Sequence, residues 1–245
     1  MTAKKYAVVN RSTLVSDADC YTMWRATSEQ LRLHVAPAWG MLPMESVFVT
    51  TAGQVPEGYY PVYVLDDPDM ANALGYHTED PGGKVYGRVF AAPVLKSGGT
   101  VLTGDSSVSA TLSHEVIELF VDISVNLWAD RGDNTLVAFE AADPVEQDSY
   151  AIRVPDSTGQ LVDVSVSNFV LQAWFDAEAT APGTQYDWLR KVAAPLQMTA
   201  GGYVVVWDLA TGKVDQVFAS EAGRQRFAAL RPKHPSGRAA RRMAS

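Results

Sequence analysis

The segment Ser109 to Asp122 reads Ser-Ala-Thr-Leu-Ser-His-Glu-Val-Ile-Glu-Leu-Phe-Val-Asp, and it constrains the fold more than any other stretch of the chain. Leu112, Val116, Leu119, Phe120 and, just beyond, Ile123 recur at three- and four-residue steps, the spacing that gathers side chains on one face of an α-helix. On the other side His114, Glu118 and Asp122 succeed one another at steps of four, flanked by Thr111 and Glu115. One helix therefore carries a broad apolar face and, opposite it, an imidazole and three carboxylates. The bland expectation for such a stripe is a solvated acidic face. Apolar sequence on both flanks, Val101-Leu102 before and Val121 to Trp128 after, points instead to a helix inside the fold whose stripe faces a cleft.

Carboxylates in a cleft need compensating positive charge. Arg131 is the only Lys or Arg between Lys96 and Arg153, so a divalent cation is the natural counter-charge, open water being the alternative. Residues four apart lie about one turn apart and can donate to one ion, as His114 and Glu118 would. Glu115, next to the first donor, points slightly aside. Roughly twenty residues beyond the helix, Ala138-Phe-Glu-Ala-Ala-Asp-Pro-Val-Glu146 offers further carboxylates.

In these residues the chain resembles the zincin metallopeptidases, in the branch whose third metal ligand is a downstream Glu followed closely by an Asp that orients a ligating His. The resemblance spans roughly residues 5 to 146. It implies His114, Glu118 and Glu140 as metal ligands, Glu115 as the general base on a metal-bound water, and Asp143 and Asp122 as carboxylates supporting the ligands from outside. Glu118 stands where the family has a second His. That substitution brings two formal negative charges to the ion and lowers its Lewis acidity; zinc remains the first expectation, and the donor set also suits manganese or calcium. A peptide or protein substrate would lie along an edge strand near Val85 to Ala91. The chain is also similar to proteins of actinobacterial phages and bacteria, which implies the alternative of a non-catalytic, virion-associated protein on a zincin-like scaffold.

The implied fold class is α+β: a zincin-like mixed sheet with an active-site-type helix and a mostly β C-terminal part. Periodicity and turn residues predict strands at Tyr6 to Asn10, Ser46 to Thr50, Tyr60 to Leu65 and Val85 to Ala91, and a helix from an N-cap at Ser16-Asp17 to about Val35. A short helix is expected from Asp69 to Leu74, and a polar loop from Tyr76 to Gly83. Gly87 and Pro93 suit an edge position for the strand that follows. Further on, Thr135 to Phe139, the hairpin Tyr150–Val154 with Leu161–Val166, and the hairpin Gly202–Trp207 with Asp215–Phe218 read as strands; Ser167 to Phe175 is ambiguous. Residues 1–223 form one domain in this reading, with a zincin-like subdomain over 1–125 and a β-rich part over 126–223, followed by a basic tail over 224–245.

Other features carry less chemistry. Asp130 to Asn134 lacks the alternating oxygen ligands of a calcium loop and reads as a turn; no Gly-Lys-Ser/Thr follows the Gly pairs, so they are not phosphate loops. Among the three remaining histidines, His34, His77 and His234, His77 is the best source of a replacement imidazole, although a His in a polar loop is more often solvated. Tyr150 is a candidate hydroxyl for an oxyanion. The lone Cys20 excludes an intrachain disulfide and fits a buried small side chain in a reducing compartment. A net charge of −8 argues against general nucleic-acid binding. Arg224, Arg226, Arg231, Lys233, Arg238, Arg241 and Arg242, with no acid among them, make the tail either a solvated run or a docking arm for an acidic partner or nucleic acid. No apolar run reaches the length of a signal peptide or a membrane span, so the expected location is the cytoplasm or a virion, with no membrane partner.

Overall fold

The computed structural model describes residues 4–50, 54–69 and 74–230, the last five by their backbone only. In chain order the elements are β1 (Lys5–Asn10), α1 (Asp17–Gln30), a π-helical turn (Leu31–Val35), α2 (Ala36–Ala38), β2 (Glu45–Val49), β3 (Tyr60–Leu65), β4 (Gly75–Glu79), β5 (Val85–Phe90), α3 (Ala91–Lys96) and α4 (Val108–Val121). There follow β6 (Trp128–Asp130), β7 (Thr135–Ala138), a 3-10 turn (Asp143–Val145), β8 (Ser149–Pro155), β9 (Leu161–Ser167), a second 3-10 turn (Gln172–Phe175), β10 (Tyr203–Asp208), β11 (Lys213–Phe218) and α5 (Glu221–Leu230). The class is α+β.

The first half builds a five-stranded sheet of order β2-β1-β3-β5-β4. Four of its strands are parallel, and β4 runs antiparallel to β5 at the edge. Parallel neighbours need crossovers, and helices supply them. Ser16 caps α1 by accepting from Asp19 N, and Gly40, at φ +61°, closes the helical run that ends with α2. Side chains alternate along each strand, so Tyr6, Val8, Val62, Val64, Val85 and Val89 fall on the face toward the helices. They join Cys20 and Met23 of α1 and Leu112, Val116, Leu119 and Phe120 of α4 in one core.

Downstream, β11-β10-β7-β6 form an antiparallel sheet and β8 pairs with β9 as a hairpin. That hairpin lies against α1 and α4. Ser167 N donates to Ser113 Oγ at 2.7 Å, and Gln30 Nε2 donates to the Ser167 carbonyl at 2.7 Å. Thus α4 has sheet on one side and hairpin on the other, and every residue of it except Thr111 is buried. A solvated acidic face on this helix is excluded.

Three expectations change. The edge strand is β4, not β5, which is sandwiched between β3 and β4. The expected polar loop Tyr76 to Gly83 is mostly that strand: its polar composition hid it, and pairing with β5 together with burial of Tyr76 and His77 stabilises it. The first helix gives way to a π turn at Leu31 before Val35, where His34 stacks on Trp188 with ring centroids 4.6 Å apart. The start of the basic tail is helical, since α5 spans Glu221–Leu230, and there Arg224 pairs with Glu221. Residues 231–245, with most of the tail's charge and His234, and most of the short helix expected at 69–74 lie outside the described residues. Among the described residues no helix is long and apolar enough to cross a membrane.

Candidate metal centre

The site begins with how α4 is fixed at its ends. Ser107 caps the N-terminus, its hydroxyl accepting from Ala110 N at 3.2 Å. At the other end Asp122 leaves the helix, and its carboxylate accepts from Asn126 N at 3.2 Å and Leu127 N at 3.0 Å. Asp122 therefore holds the turn after the helix and does not extend the ligand stripe. Its backbone carbonyl accepts from His77 Nε2 at 2.8 Å.

Between these ends His114, Glu115 and Glu118 project into the interior, each less than a tenth exposed. His114 Nε2 lies 3.0 Å from Glu118 Oε1 and 3.1 Å from Asp143 Oδ1. Asp143 opens the 3-10 turn after β7 and is also buried. Ligand-capable atoms of His114, Glu118 and Asp143 all lie within 4.8 Å of one another. A second such group, His77, Glu115 and Glu118, shares Glu118 with the first.

The third residue of the first group is Asp143, and Glu140, the third ligand that the resemblance implies, is not part of it. Glu140 is buried and belongs to neither group. After β7 the chain turns sharply, Glu140 N donating to the Ala138 carbonyl at 2.9 Å, and Asp143 Oδ1 meets the His114 imidazole at 3.1 Å. An Asp–His contact of the expected kind exists, yet it meets the same ring nitrogen that faces Glu118, which makes Asp143 a donor beside Glu118. Tyr150 is committed elsewhere: its hydroxyl meets Gln30 Nε2 at 3.1 Å and His34 Nδ1 at 2.8 Å. Burial raises that phenol well above its ordinary pKa.

His77 is the residue that sequence reasoning placed in a loop and that the fold puts in the interior, 3 % exposed on the edge strand. No apolar alternation marks it in the sequence. Gly75, His77 and Glu79 fall on one side of β4, and the register pairs His77 with Gly87, itself beside Val62 of the core face. Gly75 occupies a second close approach: a Cβ there would fall 2.6 Å from Glu115 Oε1 and 2.7 Å from Glu115 Cγ. Only a glycine lets the strand lie this near the Glu115 side chain.

Electrostatics define what such a cluster requires. Burial alone would push the His114 imidazole toward neutrality, but Glu118 foremost, then Asp143 and Glu115, hold its pKa well above the ordinary histidine value. In the protein alone a protonated His114 thus answers part of the carboxylate charge. The same donors fit a metal. Around a tetrahedral ion with N and O ligands, neighbouring donor atoms stand about 3.3–3.6 Å apart, so the observed 3.0 and 3.1 Å need to open by only a few tenths of an ångström. A cleft of about 830 Å³ formed by Tyr59, Tyr60, Tyr63, Tyr86, Lys84 and Arg88, among others, contains none of the site residues. Tyr63 and Arg88 pair on the sheet face opposite α4.

Comparison with protein families, with curated proteins and with solved structures finds no match.

Proposed function

We propose that the protein is a zincin-like, metal-dependent hydrolase of peptide bonds, holding a divalent cation, zinc in the first instance, through His114, Glu118 and Asp143, with Glu115 as general base. The observation that carries this reading is the meeting of one imidazole nitrogen with two carboxylates, at 3.0 and 3.1 Å, on and beside a helix buried at every residue but Thr111. When bound, the cation supplies Lewis acidity and lowers the pKa of water. Glu115, adjacent to His114 and confined against Gly75, is positioned to take a proton from that water rather than swing into solvent. A substrate strand would add at β4, the edge strand of the five-stranded sheet.

A second reading is favoured by the depth of the site. Glu118 is fully buried and Glu115 is 1 % exposed, a degree of enclosure that suits a metal holding the core together in a non-catalytic scaffold, such as a virion-associated protein. The zinc-loaded full-length chain separates the two. Peptide cleavage that is abolished in Glu115→Gln, with zinc still bound at His114, Glu118 and Asp143, is the result expected of the hydrolase; a wild type inert toward a broad peptide library, yet melting higher with zinc than without, would leave the scaffold. Zinc and manganese analysis that finds no metal in the wild type, or equal metal in Glu118→Ala, refutes both.

A further inference from the structure

The structure points to a second cation position immediately beside the first, formed by His77, Glu115 and Glu118, so that Glu118 bridges a two-cation centre. This inference rests on the reading of His114, Glu118 and Asp143 as cation ligands. The two groups share Glu118, their donor atoms lie within 4.8 Å of one another in each, and all five residues are buried. A carboxylate has two oxygens, each able to serve a different ion, and ions so bridged stand about 3.5–4 Å apart.

His77 carries the argument beyond proximity. Its Nε2 lies 2.8 Å from the Asp122 carbonyl, which can only accept, so Nε2 bears the proton. As a ligand the ring would then offer the lone pair of Nδ1. A backbone carbonyl fixing the tautomer and orientation of an imidazole is the support that ligating histidines receive. His77 and Gly75 stand two residues apart on one side of β4, and the missing Cβ at Gly75 lets the strand approach Glu115 from the same direction. The edge strand thus delivers one donor and hems in another, while α4 supplies the bridge.

Charge favours two ions as well. Glu115, Glu118 and Asp143 carry three negative charges when ionised, and both imidazoles are neutral as ligands. One divalent cation leaves an excess of negative charge in a site removed from water; two leave a single positive charge that an anionic substrate group can meet. Lys4, with Nζ 3.5 Å from the Phe120 carbonyl near the C-terminal end of α4, acts on Asp122. With the second position filled Glu115 is a ligand, so its role as base belongs to the singly loaded protein.

Manganese titration of the chelator-stripped full-length protein tests this, read by bound metal after gel filtration and by the electron paramagnetic resonance of Mn²⁺. Two equivalents are expected in the wild type, with exchange-coupled spectra in place of the isolated six-line signal. His77→Ala should keep one equivalent and lose the coupling; Glu115→Gln, which leaves the β4 pairing intact, should do the same even if His77→Ala fails to fold. Asp143→Ala should lose the other equivalent. A single equivalent in the wild type, or two that survive Glu115→Gln, overturns the second position while leaving the first standing if Asp143→Ala abolishes it. No bound manganese at all, with zinc also unbound, brings down both.

Discussion

The closest approach in the site makes a sharp prediction for Gly75→Ala. The added Cβ would fall 2.6, 2.7 and 2.9 Å from Glu115 Oε1, Cγ and Cδ, all inside contact distance. Gly75 does not need a positive φ, so alanine is not strained by its own backbone. The three nearest atoms to the added methyl all belong to Glu115, so the effect is expected to act through that side chain. An exposed glutamate would rotate away, but Glu115 is 1 % exposed, between α4 and the edge strand. Overpacking of this kind costs about 1–3 kcal/mol, which for a chain of this size lowers the melting temperature by about 2–4 °C for each kcal/mol. In Glu115→Ala the obstructing atoms are gone and the new methyl partly fills the space, so Gly75→Ala should cost much less there. A double-mutant cycle by urea unfolding should give a coupling of about 1 kcal/mol or more between the two positions. Additive effects would mean that β4 does not press on Glu115, and the confinement argued for the base would be wrong.

Two further outcomes test the frame around the site. Asp187 is fully buried and accepts from Asn168 Nδ2 at 2.8 Å, Leu189 N at 3.1 Å and Val192 N at 2.8 Å; Leu189 N also has Asn168 Oδ1 at 3.2 Å, so Asp187→Ala takes the partner from the other two donors and should destabilise by about 2–4 kcal/mol in chemical denaturation; a loss below about 1 kcal/mol would contradict it. Asp66 anchors the turn after β1: despite partial burial, which acts to raise its pKa, hydroxyls of Ser12 and Thr13 and the N–H groups of Leu14 and Thr13 lower it. A lowered folded-state pKa means stability that is complete above the unfolded value near 3.9 and lost as pH falls through the folded value. The stability gap between wild type and Asp66→Asn should therefore hold constant above about pH 5 and close below about pH 4; a gap that widens on acidification would reverse the sign.

Much of the frame was legible in local pattern. The strands at Tyr6, Ser46, Tyr60 and Val85, both C-terminal hairpins and the helix around His114 each follow from periods of two or of three to four residues bounded by Gly, Pro or a capping Ser. The edge strand escaped because Tyr-His-Thr-Glu has no apolar alternation; its pairing with β5 and the burial of its first residues override composition. The grouping of Asp143 with His114 and Glu118 was hidden for a similar reason, since Glu140 and Asp143 are both acidic and local pattern does not say which carboxylate packing brings to the imidazole.

By itself the sequence determined that one helix would carry His114, Glu115 and Glu118 on one stripe, because 3.6-residue periodicity is a property of the backbone and needs no partner. Only the tertiary structure decided what that stripe faces. The β8–β9 hairpin and the five-stranded sheet close over α4 from opposite sides, taking the acids out of water, while Asp143 and His77 arrive on separate elements to stand against them. Those two partners are distant in sequence from each other, and nothing local marks their meeting; packing alone gives the helix its donors.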